Sequence, residues 1–411
     1  MRVKLLELIA VFLKLGIIGF GGPAAHIAMM EREVVQRRRW LTAEDFLDIV
    51  GATNLIPGPN STEMAMQIGY RHAGRAGLVL AGGCFLAPAI MITTGCAWVY
   101  VTWGQLPQVA PLLAGIKPAV VAIIVTALWR LGKKALGRWA LGVLAMAVAV
   151  ASLSGISEVT ALLAGSLVGM LWWRFTTKRD KANPAPGAAT IGFAIAGVTR
   201  HAQATTATIA AATTTVATTT AAATSSSAVS LLQLALFFLK VGAILYGSGY
   251  VLIAYVEGEV VDTNGWLTRA ELVDAVAIGQ FTPGPILSTA TFIGYVVMAR
   301  DGGGTGAGIG GAVVASCAIF LPSFLFVAAV GPLIPRLRRS PWTAALLDAV
   351  NAASVGLMAA VTLVLCRDAV ADWRGLLILA AGAAAVFRWN INSVWIVLGG
   401  AAVGWLLFGG G

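Results

Sequence analysis

The chain has 411 residues, of which 58% are hydrophobic and 11% charged, whereas soluble domains carry about 25% charged residues. Apolar runs such as 76–101 and 311–331 exceed the roughly 18 residues that indicate a membrane span, so the composition excludes an ordinary soluble protein and predicts a polytopic protein of the lipid bilayer. The formal net charge of +10 comes from basic residues in short loops, which is typical of cytoplasmic loops and does not indicate nucleic-acid binding.

The first apolar run has a basic start and resembles a signal peptide. Glu7 and Lys14 interrupt it, and a related segment recurs later in the chain, so we interpret it as a retained first helix.

The chain shows no sequence signature of an enzyme. It lacks Walker A, GxSxG and HExxH motifs, and its four cysteines lie in apolar runs without CxxC spacing. We therefore predict no catalytic residue, no metal and no cofactor. Without an ATP-binding motif, transport is expected to be secondary or channel-like.

The chain contains two copies of one unit. Residues 12–59 align with residues 238–285 at a constant offset of 226, with 20 identities in 48 positions. We therefore predict two homologous repeats, 1–180 and 231–411. The Ala/Thr-rich segment 181–230 is predicted to be a low-complexity linker, and an additional span near 203–225 is the alternative.

The charges of equivalent loops predict the orientation of the repeats. Loop 31–40 carries four arginines, whereas loop 257–266 carries three acidic residues and no basic one. Because cytoplasmic loops are basic, we expect an all-α fold of two inverted repeats. Each would contain about five spans and one hairpin that enters and leaves the bilayer on the same side. This topology places the basic N-terminus outside, against the same rule.

The hairpin of each repeat is broken by the tripeptide Pro-Gly-Pro. Such irregular backbone is stable in a bilayer only where it is buried in protein or lines a polar cavity. Where the helix restarts, its unbonded N–H groups and its dipole favour an anion. Two such breaks predict an anion site near the midplane, and a purely structural kink is the alternative. The residues assigned to the site are Asn54, Pro57, Gly58, Pro59, Asn60, Ser61, Gln280, Pro283, Gly284, Pro285, Ser288 and Thr289.

The polar residues after each break are also expected to cap the restarting helix. They are Asn60, Ser61 and Thr62 in the first repeat and Ser288 and Thr289 in the second.

Three lysines within apolar segments are candidate counter-charges for the anion. Lys14 and Lys240 are equivalent residues of the two repeats, and Lys117 is equivalent to Asn351. An ionisable residue within a span is costly and is a functional candidate for that reason. The alternative is that these lysines snorkel to the membrane interface. We predict that all four residues contribute to the anion site.

Two acidic pairs near the end of the first helix of each repeat are candidates for proton coupling. They are Glu31 and Glu33, which recur as Glu257 and Glu259. Pairing with Arg32 and simple solvation in a loop are the alternatives.

A second acidic candidate lies within each hairpin. Asp48 and Asp274 are equivalent residues, and a buried acid there would carry protons or balance the lysines. Glu63 corresponds to Thr289, so it is not a symmetric feature, and the sequence assigns it no role.

Together these motifs resemble the chromate transporter family in its long, two-domain form. The resemblance is carried by GFGGP at 19–23, the ExEVV stretch, the WLTxxxF-like stretch, Pro-Gly-Pro and the following IGY. It covers nearly the whole chain except the linker, whose composition is a departure from the family.

The resemblance implies a multi-pass protein of the bacterial inner membrane that exports chromate from the cytoplasm and confers chromate resistance. Chromate is largely a dianion at neutral pH, and outward movement of each negative charge gains about 2.3 kcal/mol per 100 mV. The membrane potential, the proton gradient or both would therefore drive export. The alternatives are transport of sulfate or another oxyanion and a passive anion channel. The sequence leaves open whether the protein forms a homo-oligomer.

Overall fold

Every element in the described part of the chain is a helix, as the composition predicts. The computed structural model describes residues 2–20, 22–53, 56–104, 109–180, 229–246, 249–300, 303–330, 341–370, 372–389 and 391–408. Asn54 and most of the predicted linker, residues 181–228, lie outside the described residues. The chain divides into two compact units, one of Met1–Leu171 with Ser230–Gly411 and one of Trp172–Val229. The first unit contains helices of both repeats.

The two repeats contain corresponding helices in the same order, and the second has an additional 3-10 turn after its Pro-Gly-Pro tripeptide. The first repeat consists of α1 (Arg2–Ile18), α2 (Gly22–Glu31), a π-helical turn (Arg32–Arg37), α3 (Ala43–Thr53), α4 (Asn60–Trp103), α5 (Ala110–Ala135), α6 (Trp139–Leu153) and α7 (Glu158–Asp180). The second repeat consists of α8 (Leu231–Ile244), α9 (Val251–Tyr255), a π-helical turn (Val256–Thr263), α10 (Arg269–Phe281), a 3-10 turn (Ile286–Ser288), α11 (Thr289–Arg300), α12 (Gly304–Val330), α13 (Pro341–Ala369), α14 (Trp373–Trp389) and α15 (Ser393–Phe408). Because α4 is kinked at Ala73 and Gly74, its two parts correspond to α11 and α12. The predicted two-repeat helical fold is confirmed.

Helices α4, α5, α12 and α13 each contain a stretch long and apolar enough to cross a membrane. Several shorter apolar helices accompany them, including α6, α8 and α15. The chain is therefore a multi-pass membrane protein. The inverted orientation of the repeats stays a prediction from loop charge.

The first helix of each repeat is shorter than the sequence predicts. Helix α1 ends at Ile18 and α8 ends at Ile244, and a second short helix follows each of them. The glycine-rich segment after α1 lacks the side chains that restrain a helix, so the backbone breaks there. The prediction that the acidic pairs end the first helix is therefore wrong. Glu31 ends α2 and Glu33 lies in the following π-helical turn, while the corresponding turn of the second repeat contains both Glu257 and Glu259.

Equivalent glycines bring the first helix of each repeat against the long helix of the same repeat. A Cβ on Gly16 of α1 would lie 2.6 Å from the carbonyl oxygen of Phe85 on α4. A Cβ on Gly242 of α8 would lie under 3.0 Å from the carbonyl oxygen of Ile319 on α12. Lipid tails are as apolar as leucine, so close backbone packing of this kind is what associates helices in a bilayer.

The later helices of the repeats are intertwined. Helices α14 and α15 of the second repeat pack on α5 of the first, and α6 of the first packs on α13 of the second. At these crossings a Cβ on Gly115 of α5 would lie under 3.0 Å from the carbonyl oxygen of Gly400. A Cβ on Gly356 of α13 would lie equally close to the carbonyl oxygen of Ala145. The exchange of helices explains why one compact unit holds both repeats.

Candidate functional site

Both Pro-Gly-Pro tripeptides form buried turns between helices, as the sequence predicts. The first tip, residues 57–59, joins α3 to α4, and the second tip, residues 283–285, joins α10 to the 3-10 turn before α11. All six residues are buried. The central glycines have φ of +139° at Gly58 and +101° at Gly284, a conformation that only glycine adopts without strain.

Each tip contacts the long helix of the other repeat. Gly58 lies so close to Ser323 of α12 that a Cβ on the glycine would come under 3.0 Å from the serine Oγ. A Cβ on Gly284 would lie 2.8 Å from the Cβ of Ala89 on α4. The N–H of Gly284 also donates to the carbonyl oxygen of Gly19 at 2.7 Å. The tips therefore sit at the contact between the repeats.

The prediction that polar side chains cap the restarting helices is wrong at both tips. The residues at the N-cap positions are Pro59 and Pro285, and neither makes a side-chain capping bond. Since the last proline of the tripeptide takes the cap position, the polar residues after it fall within the first turn. Their side chains are thereby left for other partners.

The first tip has several buried polar side-chain atoms without a hydrogen-bond partner among the described residues. They are Thr62 Oγ1, both carboxyl oxygens of Glu63, Gln67 Nε2 and Ser323 Oγ. Thr62, Glu63 and Ser323 are completely buried. Buried polar atoms in native proteins are nearly always bonded to protein, water or ligand, so this cluster is equipped to bind a polar group.

The second tip carries an equivalent cluster without an acid. Gln280 Nε2, Ser288 Oγ and Thr289 Oγ1 are buried, and the described residues offer them no hydrogen-bond partner. The hydroxyl of Tyr250 donates to Gln280 Oε1 at 3.4 Å, which leaves the amide nitrogen to donate elsewhere. Two hydroxyls and an amide N–H are neutral donors that an anion accepts from.

Three other assigned residues are buried or half-buried on their helices. Ser61 is buried and Asn60 is half-buried in the first turn of α4. Asn351 is half-buried on α13, which packs on the α5 helix that carries its counterpart Lys117. Asp48 belongs to α3, but its side chain lies outside what the structure describes.

A buried acid of the second hairpin joins elements of both repeats. Asp274 of α10 is 3% exposed, and its Oδ2 accepts a hydrogen bond of 2.9 Å from the hydroxyl of Tyr100 on α4. Lys117 of α5, which packs on α10, acts electrostatically on this carboxylate. The structure thus associates two predicted candidates, Asp274 and Lys117, and adds Tyr100, which the sequence did not indicate.

The twin lysines pair with twin glutamates. Lys14 Nζ lies 3.7 Å from Glu33 Oε2, and Lys240 forms an ion pair with Glu259. Both lysine side chains are nearly half exposed. The two repeats therefore share one ion pair between the first helix and the π-helical turn.

The acidic pairs include a buried glutamate that forms ion pairs, which a solvated loop acid would not do. Glu33 is 7% exposed and also pairs with Arg37 and Arg38. Burial acts to raise the pKa of Glu33, but the hydrogen bond from Arg38 and the charges of its basic neighbours outweigh burial and lower this pKa. The carboxylate is thus held in its charged form.

The second repeat repeats this arrangement with different partners. Glu257 is 3% exposed and accepts a hydrogen bond of 2.9 Å from Arg269, which also binds Asp262. Solvation, the alternative for these acids, fits Glu31, which is exposed, and is wrong for Glu33 and Glu257.

We expect Lys14→Gln and Lys240→Gln to change the free energy of unfolding by less than about 1 kcal/mol, because ion pairs of exposed side chains contribute little. Transport should remain close to that of the unmodified protein. Thermal unfolding in detergent and transport in vesicles measure the two quantities. Loss of transport without loss of stability would instead make the lysines part of the anion site.

The most buried acid of the site is one that the sequence did not assign. Glu63 was set aside because Thr289 replaces it in the second repeat. The available signal was its position, four residues after a Pro-Gly-Pro break and ahead of a long apolar run. An acid there is unusual whether or not it is repeated.

Two buried Pro-Gly-Pro breaks, each against the long helix of the other repeat in a multi-pass helical bundle, are typical of a membrane transporter built from internal repeats. The family model for chromate transporters matches residues 6–170 and 232–405. The chain belongs to the chromate transporter family.

Curated relatives agree with this assignment. The chain is 30% identical over 404 residues to the chromate transport protein of Cupriavidus metallidurans, covering 97% of this chain and 91% of that protein. It is 30% identical over 421 residues to the chromate transport protein of Pseudomonas aeruginosa, covering 98% and 92%. The uncharacterized transporter YwrB of Bacillus subtilis is 25% identical over 183 residues, which are 43% of this chain and 93% of that protein. No solved structure matches the chain.

Proposed function

We propose that this protein exports chromate from the cytoplasm across the bacterial inner membrane, driven by the membrane potential, the proton gradient or both, and thereby confers chromate resistance. The observation that carries the proposal is the pair of buried tips, each with polar side-chain atoms that have no partner among the described residues. The names of the relatives from Cupriavidus metallidurans and Pseudomonas aeruginosa support chromate as the substrate.

The second tip is the better receptor for an oxyanion. Ser288 and Thr289 lie where the backbone restarts as a helix, and Gln280 is contributed by the preceding helix α10. Hydroxyl and amide donors can replace the water molecules that a tetrahedral dianion loses on entering a bilayer. The positive end of α11 favours the same charge. Sulfate has the same shape and charge, so the donors of this tip also support sulfate as a substrate.

The driving force follows from the charge of the substrate. Each negative charge that leaves a cytoplasm held at a negative potential gains about 2.3 kcal/mol per 100 mV. A dianion gains about twice that amount, so export requires no hydrolysis of ATP.

The test is chromate accumulation in everted membrane vesicles with an imposed potential or pH gradient. We expect the unmodified protein to accumulate chromate and an uncoupler to abolish accumulation. The Ser288→Ala/Thr289→Val double variant should lose at least about tenfold in rate, the effect of roughly 1.4 kcal/mol of lost binding, because both hydroxyl donors are removed.

Thr362→Val is the matched control, since this buried hydroxyl donates to the carbonyl oxygen of Met358 in its own helix. It should leave the rate nearly unchanged. Accumulation of sulfate but not of chromate would refute the assignment of chromate as the substrate. Chromate flux that follows its own electrochemical gradient, without proton coupling or counter-transport, would indicate a passive channel instead of a transporter.

A further inference from the structure

The first tip differs from the second by one buried acid. Glu63 stands in the first turn of α4 where Thr289 stands in the second repeat. Its side chain is 0% exposed, and neither carboxyl oxygen has a hydrogen-bond partner among the described residues. Gly58 is close enough that a Cβ there would come under 3.0 Å from both Glu63 Oε1 and Ser323 Oγ. The carboxyl group therefore lies directly at the tip.

The surroundings of Glu63 offer it no counter-charge among the described residues. Tyr246, which follows α8 and is equivalent to Phe20, is a described titratable side chain on which Glu63 acts electrostatically. Several charged groups on α4 and on the elements that pack on it are engaged elsewhere. They are Lys14 with Glu33, Arg38 with Glu7, Arg71 with Asp45, Asp274 with Tyr100, Arg269 with Glu257, and Arg300 with Glu271. Glu31, Glu44 and Arg75 are exposed, and the ring of His26 forms a hydrogen bond with the carbonyl oxygen of Gly19.

A negative charge on Glu63 would therefore be uncompensated, and a dianion brought to the same buried region would repel it. Burial without a partner penalises a charge on Glu63 whether or not an anion is present. A bound dianion adds repulsion in a low dielectric, and this added repulsion is what makes anion binding favour the protonated acid.

We propose that Glu63 is the proton-binding group of this transporter and that it takes up a proton when the oxyanion binds. The inference rests on the proposed function, since it takes an oxyanion as the transported ligand. The two tips then have different tasks. The second tip supplies neutral donors to the anion, and the first tip carries the proton that accompanies it.

The sign of the coupling follows from this electrostatic linkage. If anion binding favours protonation of Glu63, protonation must favour anion binding by the same factor. Proton and anion are then carried in the same direction, and one net negative charge crosses the membrane with each chromate. Of the driving forces proposed above, the membrane potential favours this export and an inward proton gradient opposes it. Proton entry in exchange for chromate would require the opposite linkage.

The test is anion binding to the purified full-length protein in detergent, measured by titration calorimetry in two buffers of different ionisation enthalpy. We expect the unmodified protein to take up protons when it binds chromate in a series from pH 8 to pH 10, where chromate is the dianion. Uptake should approach about one proton per chromate at the pH where Glu63 of the free protein is ionised, and the affinity should rise about tenfold for each unit of pH decrease in that range. Glu63→Gln, which mimics the protonated acid, should bind chromate without proton uptake and with an affinity independent of pH. Glu44→Gln is the control, because it removes an exposed carboxylate of α3 and should behave like the unmodified protein.

Proton release on binding, or no proton exchange in the unmodified protein, would overturn the proposal, and neither result depends on the folding of a variant. Proton uptake that persists in Glu63→Gln would overturn it as well. If sulfate binds with proton uptake and chromate does not bind, the role of Glu63 stands and chromate as the substrate falls. If no oxyanion binds, both fail.

Discussion

Replacing Gly284 with alanine is expected to reduce transport by at least about tenfold, because the second tip cannot keep its shape with a side chain at this position. At φ +101° an L-residue is strained by about 1–3 kcal/mol. The new methyl group would also lie 2.8 Å from the Cβ of Ala89, and overpacking of this kind costs about 1–3 kcal/mol. Each 1.4 kcal/mol against the functional conformation lowers its population about tenfold.

The contact across the repeats can be tested separately from the backbone strain. Ala89→Gly removes the methyl group on α4. The free energy of unfolding of the Gly284→Ala/Ala89→Gly double variant should therefore be higher by about 1 kcal/mol or more than the sum of the two single effects predicts. The backbone strain at residue 284 would remain, so the rescue should be partial. Thermal unfolding and chromate transport of the three variants form the cycle.

Gly83→Ala on α4 is the matched control, because a Cβ there meets no atom within 4 Å. It should change neither quantity. Additive effects of Gly284→Ala and Ala89→Gly would mean that the tip does not depend on this contact with the other repeat.

Much of the fold could be predicted because its signals are patterns of residue types that can be read directly from the sequence. The constant offset between 12–59 and 238–285 predicts two equivalent sets of helices, and Pro-Gly-Pro predicts the break whatever surrounds it. These inferences need no knowledge of which helices pack together.

The packing between helices could not be predicted from the sequence. In a bilayer both the lipid and the protein interior are apolar, so a helix carries little amphipathic signal for its buried face. The chain has 48 glycines, and nothing in their spacing shows that Gly115 pairs with Gly400 across the repeats. The packing of α14 and α15 on α5 therefore becomes visible only in the structure.

Repeat symmetry indicates some residues of the site and hides others. Lys14, Lys240 and their acidic partners are repeated in sequence and form repeated ion pairs. Glu63 is present in one repeat only, so symmetry gives no indication of it. Identical tips would bind identical ligands, so coupling of two different species requires a difference between them. The unshared residue is the natural place to look for that difference.

The largest effect expected away from the tips is that of Asp274→Asn. Asparagine can still accept the hydrogen bond from Tyr100, which is 2.9 Å long with aspartate, but it removes the negative charge on which Lys117 acts electrostatically. Breaking a direct buried ion pair costs about 3–5 kcal/mol. Since Lys117 is half-buried, we expect a loss of about 1–3 kcal/mol in the free energy of unfolding, with a marked loss of transport.

The double variant Asp274→Asn/Lys117→Gln distinguishes charge balance from packing. If the lysine charge is the cause, its removal should restore most of the stability lost in Asp274→Asn. Tyr100→Phe is the control for the hydrogen bond alone and should lower the free energy of unfolding by about 1 kcal/mol. Stability losses that simply add would contradict a linked pair. Stability that is restored while transport stays lost would show that the carboxylate of Asp274 is needed for transport itself, because charge balance would then have been recovered without it.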